Sequence, residues 1–163
     1  MLPSAQTYGN WLAVIRIYTG IFWLTHGIPK LLTPQFFGDR GMMVGMVTQM
    51  SSGVSGPYGA FLHGIVLPHG AVFSVLVACG ETLAGVSLLL GALTTVGGVV
   101  GMFLALNYFM MKGSYAHITS LGGLDCAAIA LSFISAILPT GAVFGLDGLL
   151  RVSRRRPSAA GEA

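Results

Sequence analysis

The stretch that decides the fold spans residues 70–111 and reads GAVFSVLVACGETLAGVSLLLGALTTVGGVVGMFLALNYFMM. It contains a single charged residue, Glu81, and two apolar runs, 70–92 and 96–111, which are separated by residues 93–95 alone. A helix needs ~20 largely apolar residues to cross a bilayer. A connection as short as this one makes the two helices antiparallel neighbours. The stretch therefore predicts a transmembrane helical hairpin.

Two further apolar segments, 11–32 and 121–138, flank the hairpin. The second of them follows a short connection, 112–120, so it is expected to pack beside the hairpin. The composition agrees, because 54% of the 163 residues are hydrophobic and 8% are charged. A soluble domain carries roughly 25% charged residues. We therefore expect an all-α fold, an integral membrane antiparallel four-helix bundle.

The connection between the first two spans, 33–69, is long, glycine-rich and still apolar. Its stretches 42–44 and 61–66 are too short to span, so we expect short interfacial helices that dip partway into the membrane. A fifth span is the alternative interpretation of this loop. The four-span domain is expected to cover residues 1–150, and residues 151–163 form a basic polar tail.

The tail sets the predicted orientation. Its basic residues are Arg151, Arg154, Arg155 and Arg156, which fit anionic lipid headgroups better than a nucleic-acid patch. An even number of spans puts both termini on one side, and clustered arginines favour the cytoplasm. The first span is expected to be retained, because Arg16 interrupts its apolar run as no signal peptide would. We expect a multi-pass protein of the inner (cytoplasmic) membrane with both termini cytoplasmic.

Ionisable and strongly polar side chains within the predicted spans each need a physical reason, since burying them in hydrocarbon costs ~2.5–3.5 kcal/mol per charge. They are Arg16, His26, Lys30, Glu81, Asn107, Tyr108 and Asp125. Helical spacing places one group of residues on a single face of the first span: Arg16, Gly20, Trp23, Gly27 and Lys30. Because glycines let membrane helices approach closely, that face is predicted to point into the bundle.

Depth within the membrane suggests which charges meet. Counted from the outer ends of their helices, Glu81 lies ~16 Å and Arg16 ~21 Å deep, so the two are expected to pair. Such a pair either takes part in chemistry or simply holds two helices in register. Asp147, just beyond the fourth span, is expected to cap a helix or to pair with a tail arginine.

The polar residues of the outer half suggest a pocket that opens into the bilayer. The side chains of His26, Lys30, Asn107 and Tyr108 suit the carbonyl oxygens of a quinone headgroup. Glu81 and Asp125 are candidates to relay the protons, with Arg16 as a third catalytic candidate. The sequence has no metal, haem or nucleotide-binding motif. Cys79 and Cys126 are interpreted as small core residues.

Several short motifs, in order, resemble the DoxX family of small membrane proteins. They are Arg16-x3-Gly20-x2-Trp23-x3-Gly27-x2-Lys30, Gly80-Glu81-Thr82-Leu83-Ala84-Gly85, Leu106-Asn107-Tyr108 and Gly145-Leu146-Asp147. The resemblance covers residues from about 11 to 150. Val66-Leu67-Pro68-His69 looks closest to the branch of thiosulfate:quinone oxidoreductase small subunits, the DoxD-like proteins.

That resemblance implies a four-helix membrane bundle linked to quinone-dependent oxidoreduction. It matches Arg16, Lys30, Glu81 and Asp147 to the recurring polar residues of the family, and it departs from the pattern at Thr95, where a basic residue is common. A sulfur oxyanion such as thiosulfate would be attracted by Lys30, Arg40, Lys112 and His117. The expected partners are the lipid bilayer and a second oxidoreductase subunit or soluble redox partner, with no nucleic acid. The alternative is a non-catalytic scaffold that anchors a soluble redox or stress-response partner.

Overall fold

The computed structural model describes residues 4–116, 119 and 123–154, and the regular elements within these ranges are all helices. The α-helices are α1 (Ala5–Leu32), α2 (Met42–Met50), α3 (Gly56–Phe61), α4 (Gly70–Leu90), α5 (Thr94–Met111), α6 (Leu124–Ile137) and α7 (Leu146–Arg154). No strand occurs in the described ranges. The predicted all-α class is confirmed.

Helices α4 and α5 form the predicted hairpin. Gly91 ends α4 in the left-handed conformation, with φ of 67°, and its N–H donates to the Leu88 carbonyl at 3.3 Å. The Ala92 N–H donates to the Ser87 carbonyl at 3.0 Å, which completes a Schellman-type cap. Leu93 is also left-handed, with φ of 53°, so the chain reverses within a few residues. A glycine at position 91 makes this tight reversal inexpensive.

Helix α1 packs antiparallel against α4 at very short range. A methyl group added at Gly20 would lie 2.6 Å from the Leu89 nitrogen, and one added at Gly27 would lie 2.6 Å from the Thr82 nitrogen. Nothing larger than glycine fits between these backbones. The glycine face predicted for the first span is therefore the face that contacts α4, and the two glycines fix the register of the pair.

The long helices pack side by side in the order α1, α4, α5, α6. Gly98 of α5 lies against Ser132 and Ala136 of α6, where an added methyl group would approach the Ala136 nitrogen to 2.5 Å. The indole N–H of Trp23 in α1 donates to the Ser132 hydroxyl at 3.1 Å, so α6 also contacts α1. Neighbouring helices run in opposite directions throughout.

The loop 33–69 contains two short helices, α2 and α3. Helix α2 begins at the predicted stretch 42–44, whereas most of the predicted stretch 61–66 is a π turn that follows α3. Helix α3 continues through a π turn at Leu62–Val66 and a 3-10 turn at Leu67–His69 directly into α4. The result is one helical segment, Gly56–Leu90, rather than a loop followed by a span. No separate fifth span forms in the loop, because α2 has nine residues and α3 has six.

Two helical segments in the described part of the chain are long and apolar enough to cross a membrane, Gly56–Leu90 and Thr94–Met111. Helix α1 is long enough but not apolar enough, since Arg16 and Lys30 are among the polar side chains that lower its hydropathy. Helix α6 is apolar but has only 14 residues, ~21 Å of helix, and residues 120–122 before it lie outside the described ranges.

The distribution of side chains is inverted relative to that of a soluble protein. Arg16 and Glu81 are fully buried, with relative exposures of 0%. Large apolar side chains such as Leu83 and Phe103 are 67% and 65% exposed. A soluble monomer rarely exposes so much contiguous apolar surface while it buries charges. The prediction that Arg16 and Glu81 point inward is confirmed.

Candidate functional site

Two side chains, from α1 and α5, meet at a buried carboxylate of α4. The ammonium Nζ of Lys30 in α1 lies 2.6 Å from both carboxylate oxygens of Glu81 in α4. The hydroxyl of Tyr108 in α5 donates to Glu81 Oε1 at 2.5 Å and accepts from Lys30 Nζ at 2.8 Å. We call this group the Lys30–Glu81–Tyr108 cluster. Its hydrogen bonds compensate the burial of the Glu81 charge.

The glycine contacts of α1 explain why Lys30, rather than Arg16, reaches Glu81. Gly27 sits against Thr82, so Lys30 follows one turn beyond the point of closest approach. Side chains on a helix tilt toward its N-terminus, which directs Lys30 back toward Glu81. Arg16 lies ~16 Å along α1 from Gly27, near the other end of α4. The predicted Arg16–Glu81 pair is therefore wrong.

The cluster borders a cavity of about 490 Å³. The polar residues that line it are Lys30, Tyr58, Asn107 and Tyr108. The remaining lining residues are apolar: Phe36, Met43, Met46, Val47, Phe61, Leu62, Val66, Phe73, Leu76, Val77, Gly80, Val99, Val100, Phe103, Leu104 and Met111. A concave, mostly apolar site with a few convergent polar groups is typical of a small-molecule pocket.

The ammonium of Lys30 lies close to two aromatic rings of the cavity wall. Its Nζ is 5.6 Å from the centre of the buried Phe36 ring and 5.1 Å from the centre of the Tyr108 ring. Both distances are in the range of cation–π contacts. The positive charge therefore faces aromatic walls on two sides and the Glu81 carboxylate on a third.

The half-buried amide of Asn107 has hydrogen-bond partners in the loop and on its own helix. The Tyr58 hydroxyl donates to the Asn107 carbonyl oxygen and to its Oδ1, both at 3.1 Å, and Asn107 Nδ2 donates to the Phe103 carbonyl at 2.8 Å. The second N–H of the amide has no acceptor among the described residues. The sequence interpretation missed Tyr58, although it is the only tyrosine in the loop 33–69.

His26 and Asp125 lie apart from the cluster. The His26 ring stacks on Phe22 with centroids 4.4 Å apart, its Nδ1 is 2.8 Å from the Phe22 carbonyl oxygen, and it does not line the cavity. Asp125 accepts from Lys112 Nζ at 2.9 Å with both oxygens. It also lies in the first turn of α6, where the helix dipole favours a carboxylate. The structure thus brings Lys30, Asn107 and Tyr108 to the cavity, with Glu81 directly behind them.

A second polar group ties the end of the chain to the α4–α5 turn. Arg16 Nη2 donates to the Phe144 carbonyl at 2.9 Å, and its guanidinium interacts electrostatically with Asp147. The Asp147 carboxylate accepts from the Leu93 and Thr94 N–H groups at 2.9 and 3.0 Å, and from the Thr94 hydroxyl at 2.9 Å. Asp147 therefore caps α5, as one of the two sequence interpretations expects.

Apolar spanning segments, buried charges and a lipophilic cavity define a helical membrane protein. The chain belongs to the DoxX family, whose model matches residues 11–113, from α1 through the end of α5. The match includes the whole Lys30–Glu81–Tyr108 cluster and ends before Asp125 and Asp147. Neither the comparison with curated proteins nor the comparison with solved structures found a match.

Proposed function

We propose that this protein is the membrane subunit of a quinone-linked oxidoreductase and that its cavity binds the quinone. The observation that carries the proposal is that Lys30 and Tyr108, together with Tyr58 and Asn107, line a cavity whose other lining residues are apolar. A quinone combines two carbonyl acceptors with an apolar ring and tail. The cavity offers both kinds of surface, and its volume of about 490 Å³ lies within the usual range for ligand pockets.

Lys30 supplies the donor for a headgroup carbonyl. Its ammonium already donates to Glu81 and to the Tyr108 hydroxyl, and the N–H directed at Tyr108 can turn to a ligand oxygen without leaving Glu81 unpaired. The Asn107 N–H that has no acceptor among the described residues is a second donor in the cavity lining. His26 is left out of the proposed site because its ring lies elsewhere.

Glu81 and Tyr108 are placed to move protons. Reduction of a bound quinone takes up two electrons and two protons. A proton that the Lys30 ammonium gives to the quinone leaves a neutral amine at Lys30. A second proton that reaches the Glu81 carboxylate from the aqueous side is then passed on to Lys30, directly or through the Tyr108 hydroxyl that bridges the two. Asp125 and Lys112 form the next ionisable pair toward the end of α5 and are proposed as the route by which Glu81 is reprotonated.

The electrons are proposed to come from a small donor or a partner protein on the outer face. A sulfur oxyanion such as thiosulfate suits the exposed Arg40 and the half-exposed Lys112. Lys30, which was expected to join them, is committed to Glu81 and is withdrawn from this role. His117 lies outside the described residues. The DoxD-like branch remains part of this proposal, as does a second subunit or soluble redox partner.

The proposal includes a four-span bundle in the inner membrane with both termini cytoplasmic. Helices α1 and α6 support it because they pack on the two spanning segments and bury Arg16 and Ser132. They also expose apolar side chains, Ile21 at 48% and Phe133 at 47%. Residues 155–163, including Arg155 and Arg156, lie outside the described ranges. The basic tail therefore supports the proposed orientation through its sequence alone.

Glu81→Gln is expected to lower quinone reduction by about a hundredfold, since it removes the proton-carrying carboxylate. Folding and quinone binding should persist, because the glutamine oxygen can still accept from Lys30, whose ammonium stays beside Tyr108 at the cavity wall and is 18% exposed. The assay is donor-dependent quinone reduction by purified protein in nanodiscs, with retained quinone as a separate readout. Wild-type protein that reduces no quinone with any candidate donor or partner would remove the enzyme claim.

A non-catalytic scaffold is the second candidate function, and one observation favours it. The Lys30–Glu81–Tyr108 cluster satisfies its hydrogen bonds internally, as a purely structural network would. Affinity purification from native membranes separates the two functions. A stoichiometric soluble partner without bound quinone supports the scaffold, whereas co-purifying quinone supports the oxidoreductase.

A further inference from the structure

The residues that line the cavity differ sharply in exposure. Phe36, which lies 5.6 Å from the Lys30 ammonium, is 5% exposed, and Met43 and Met111 are 5% and 6% exposed. Four other apolar lining residues are well exposed: Met46 at 38%, Leu76 at 57%, Val99 at 47% and Phe103 at 65%. We call these four residues the lateral mouth.

The lateral mouth belongs to the membrane-facing surface of the protein. Leu76 lies in the spanning segment Gly56–Leu90, while Val99 and Phe103 lie in Thr94–Met111. Met46 comes from α2, which contributes the remaining edge. An opening with apolar edges on two spanning helices meets acyl chains and not water. A ligand that uses this opening must therefore be soluble in the hydrocarbon.

We infer that the ligand enters headgroup first through the lateral mouth and leaves a long apolar tail between α2, α4 and α5. This inference rests on the proposed function and adds the substrate class, a quinone with an isoprenoid tail rather than a water-soluble benzoquinone. The donors Lys30 and Tyr108 lie beside the buried Phe36 ring and not among the residues of the mouth, so the polar head is favoured at their position. The exposed side chains of the mouth then contact the tail, whose burial contributes to affinity.

Val99→Trp tests the inference, with Val96→Trp as the matched control. Both valines are exposed on α5, at 47% and 57%, but only Val99 lines the cavity. The probes are a ten-isoprenyl benzoquinone and the same headgroup without a tail, equilibrated with the full-length protein in nanodiscs. Retained quinone gives the dissociation constants. Val99→Trp should weaken binding of the tailed probe about tenfold through steric crowding, with a much smaller effect on the bare headgroup.

Three outcomes separate this inference from the proposed function. If Val99→Trp binds the tailed probe more weakly but the bare headgroup normally, and Val96→Trp binds both probes like wild type, the lateral mouth is supported. Equal binding of the tailed probe by wild type and both variants overturns the lateral mouth and leaves the quinone site intact. Failure of wild type to retain either probe overturns the proposed function, and the inference falls with it.

A photoreactive tail gives a test that needs no variant. A benzoquinone with a diazirine in the tail should label Met46, Leu76 or Phe103 in wild-type protein. Phe133 is the reference, because it is 47% exposed on α6 and does not line the cavity. Labelling of Phe133 at the level of Phe103 would show that the tail only samples the general lipid surface, and it would overturn the inference.

Discussion

Lys30→Met is expected to lower the free energy of unfolding by about 3–5 kcal/mol, the cost of leaving a buried charge without its partner. Glu81 is fully buried and would keep one donor among the described residues, the Tyr108 hydroxyl. The thermal unfolding midpoint of the protein in nanodiscs should fall by roughly 10 °C. Quinone retention should fall with it, because the same ammonium is the proposed headgroup donor.

Two companion variants isolate the cause. Lys112→Met also removes a lysine from an ion pair, but Lys112 is 38% exposed, so its loss should cost less than ~1 kcal/mol. The double variant Lys30→Met/Glu81→Gln should recover most of the lost stability, because no buried charge is left behind. If Lys30→Met and Lys112→Met lowered the free energy of unfolding by the same small amount, the buried ion pair would have no special energetic role.

Asp147→Asn is expected to cost about 3 kcal/mol of stability, through lost capping and loss of the charge that faces Arg16. Both carboxylate oxygens accept hydrogen bonds, Oδ1 from the Leu93 N–H and Oδ2 from the Thr94 N–H and hydroxyl. An amide presents an NH₂ group to one of these sets of donors, which would be repulsive. Arg16 would meanwhile remain buried, with Nε and Nη1 lacking hydrogen-bond partners among the described residues.

Asp39→Asn is the control for this prediction. Asp39 also accepts from a helix N-terminus, the Ala71 N–H at 2.9 Å, but it is exposed and uses one oxygen, which asparagine retains. Its replacement should change the thermal midpoint only slightly. Equal midpoints for Asp39→Asn and Asp147→Asn would contradict the role assigned to Asp147 in holding the chain end against the α4–α5 turn.

The hairpin could be predicted from the sequence because its determinants are local. Two apolar runs of nearly spanning length and a connection at residues 93–95 allow few arrangements. The inward face of α1 could also be predicted from the sequence, since Gly20, Gly27 and Lys30 recur at helical spacing. Both features depend on residues close together in the chain.

The register between α1 and α4 could not be predicted in the same way. Depths counted from helix ends placed Arg16 beside Glu81, but the close contact of Gly27 with Thr82 fixes the actual alignment. That contact joins residues far apart in the chain. Aligning the small residues of the two helices, instead of their ends, would have brought Lys30 toward Glu81.

The residues that form the cavity wall could not be predicted from the sequence either. Tyr58 and Phe36 come from the loop 33–69, and they reach the cavity through contacts with α1, α4 and α5. Short apolar stretches predicted small helices there but carried no information about what those helices cover. Of the four residues that were expected to donate to a headgroup, Lys30, Asn107 and Tyr108 line the cavity. His26 does not.

The central claim is that the cavity beside the Lys30–Glu81–Tyr108 cluster binds a quinone, and extraction of lipids from detergent-purified protein followed by mass spectrometry tests it most directly. Gly80→Leu fills the cavity from its wall, whereas Gly64→Leu adds the same side chain where nothing lies within 4 Å. We expect quinone in stoichiometric amount with wild type and Gly64→Leu, and its loss with Gly80→Leu. Absence of quinone from wild type, or equal amounts in all three proteins, would contradict the claim.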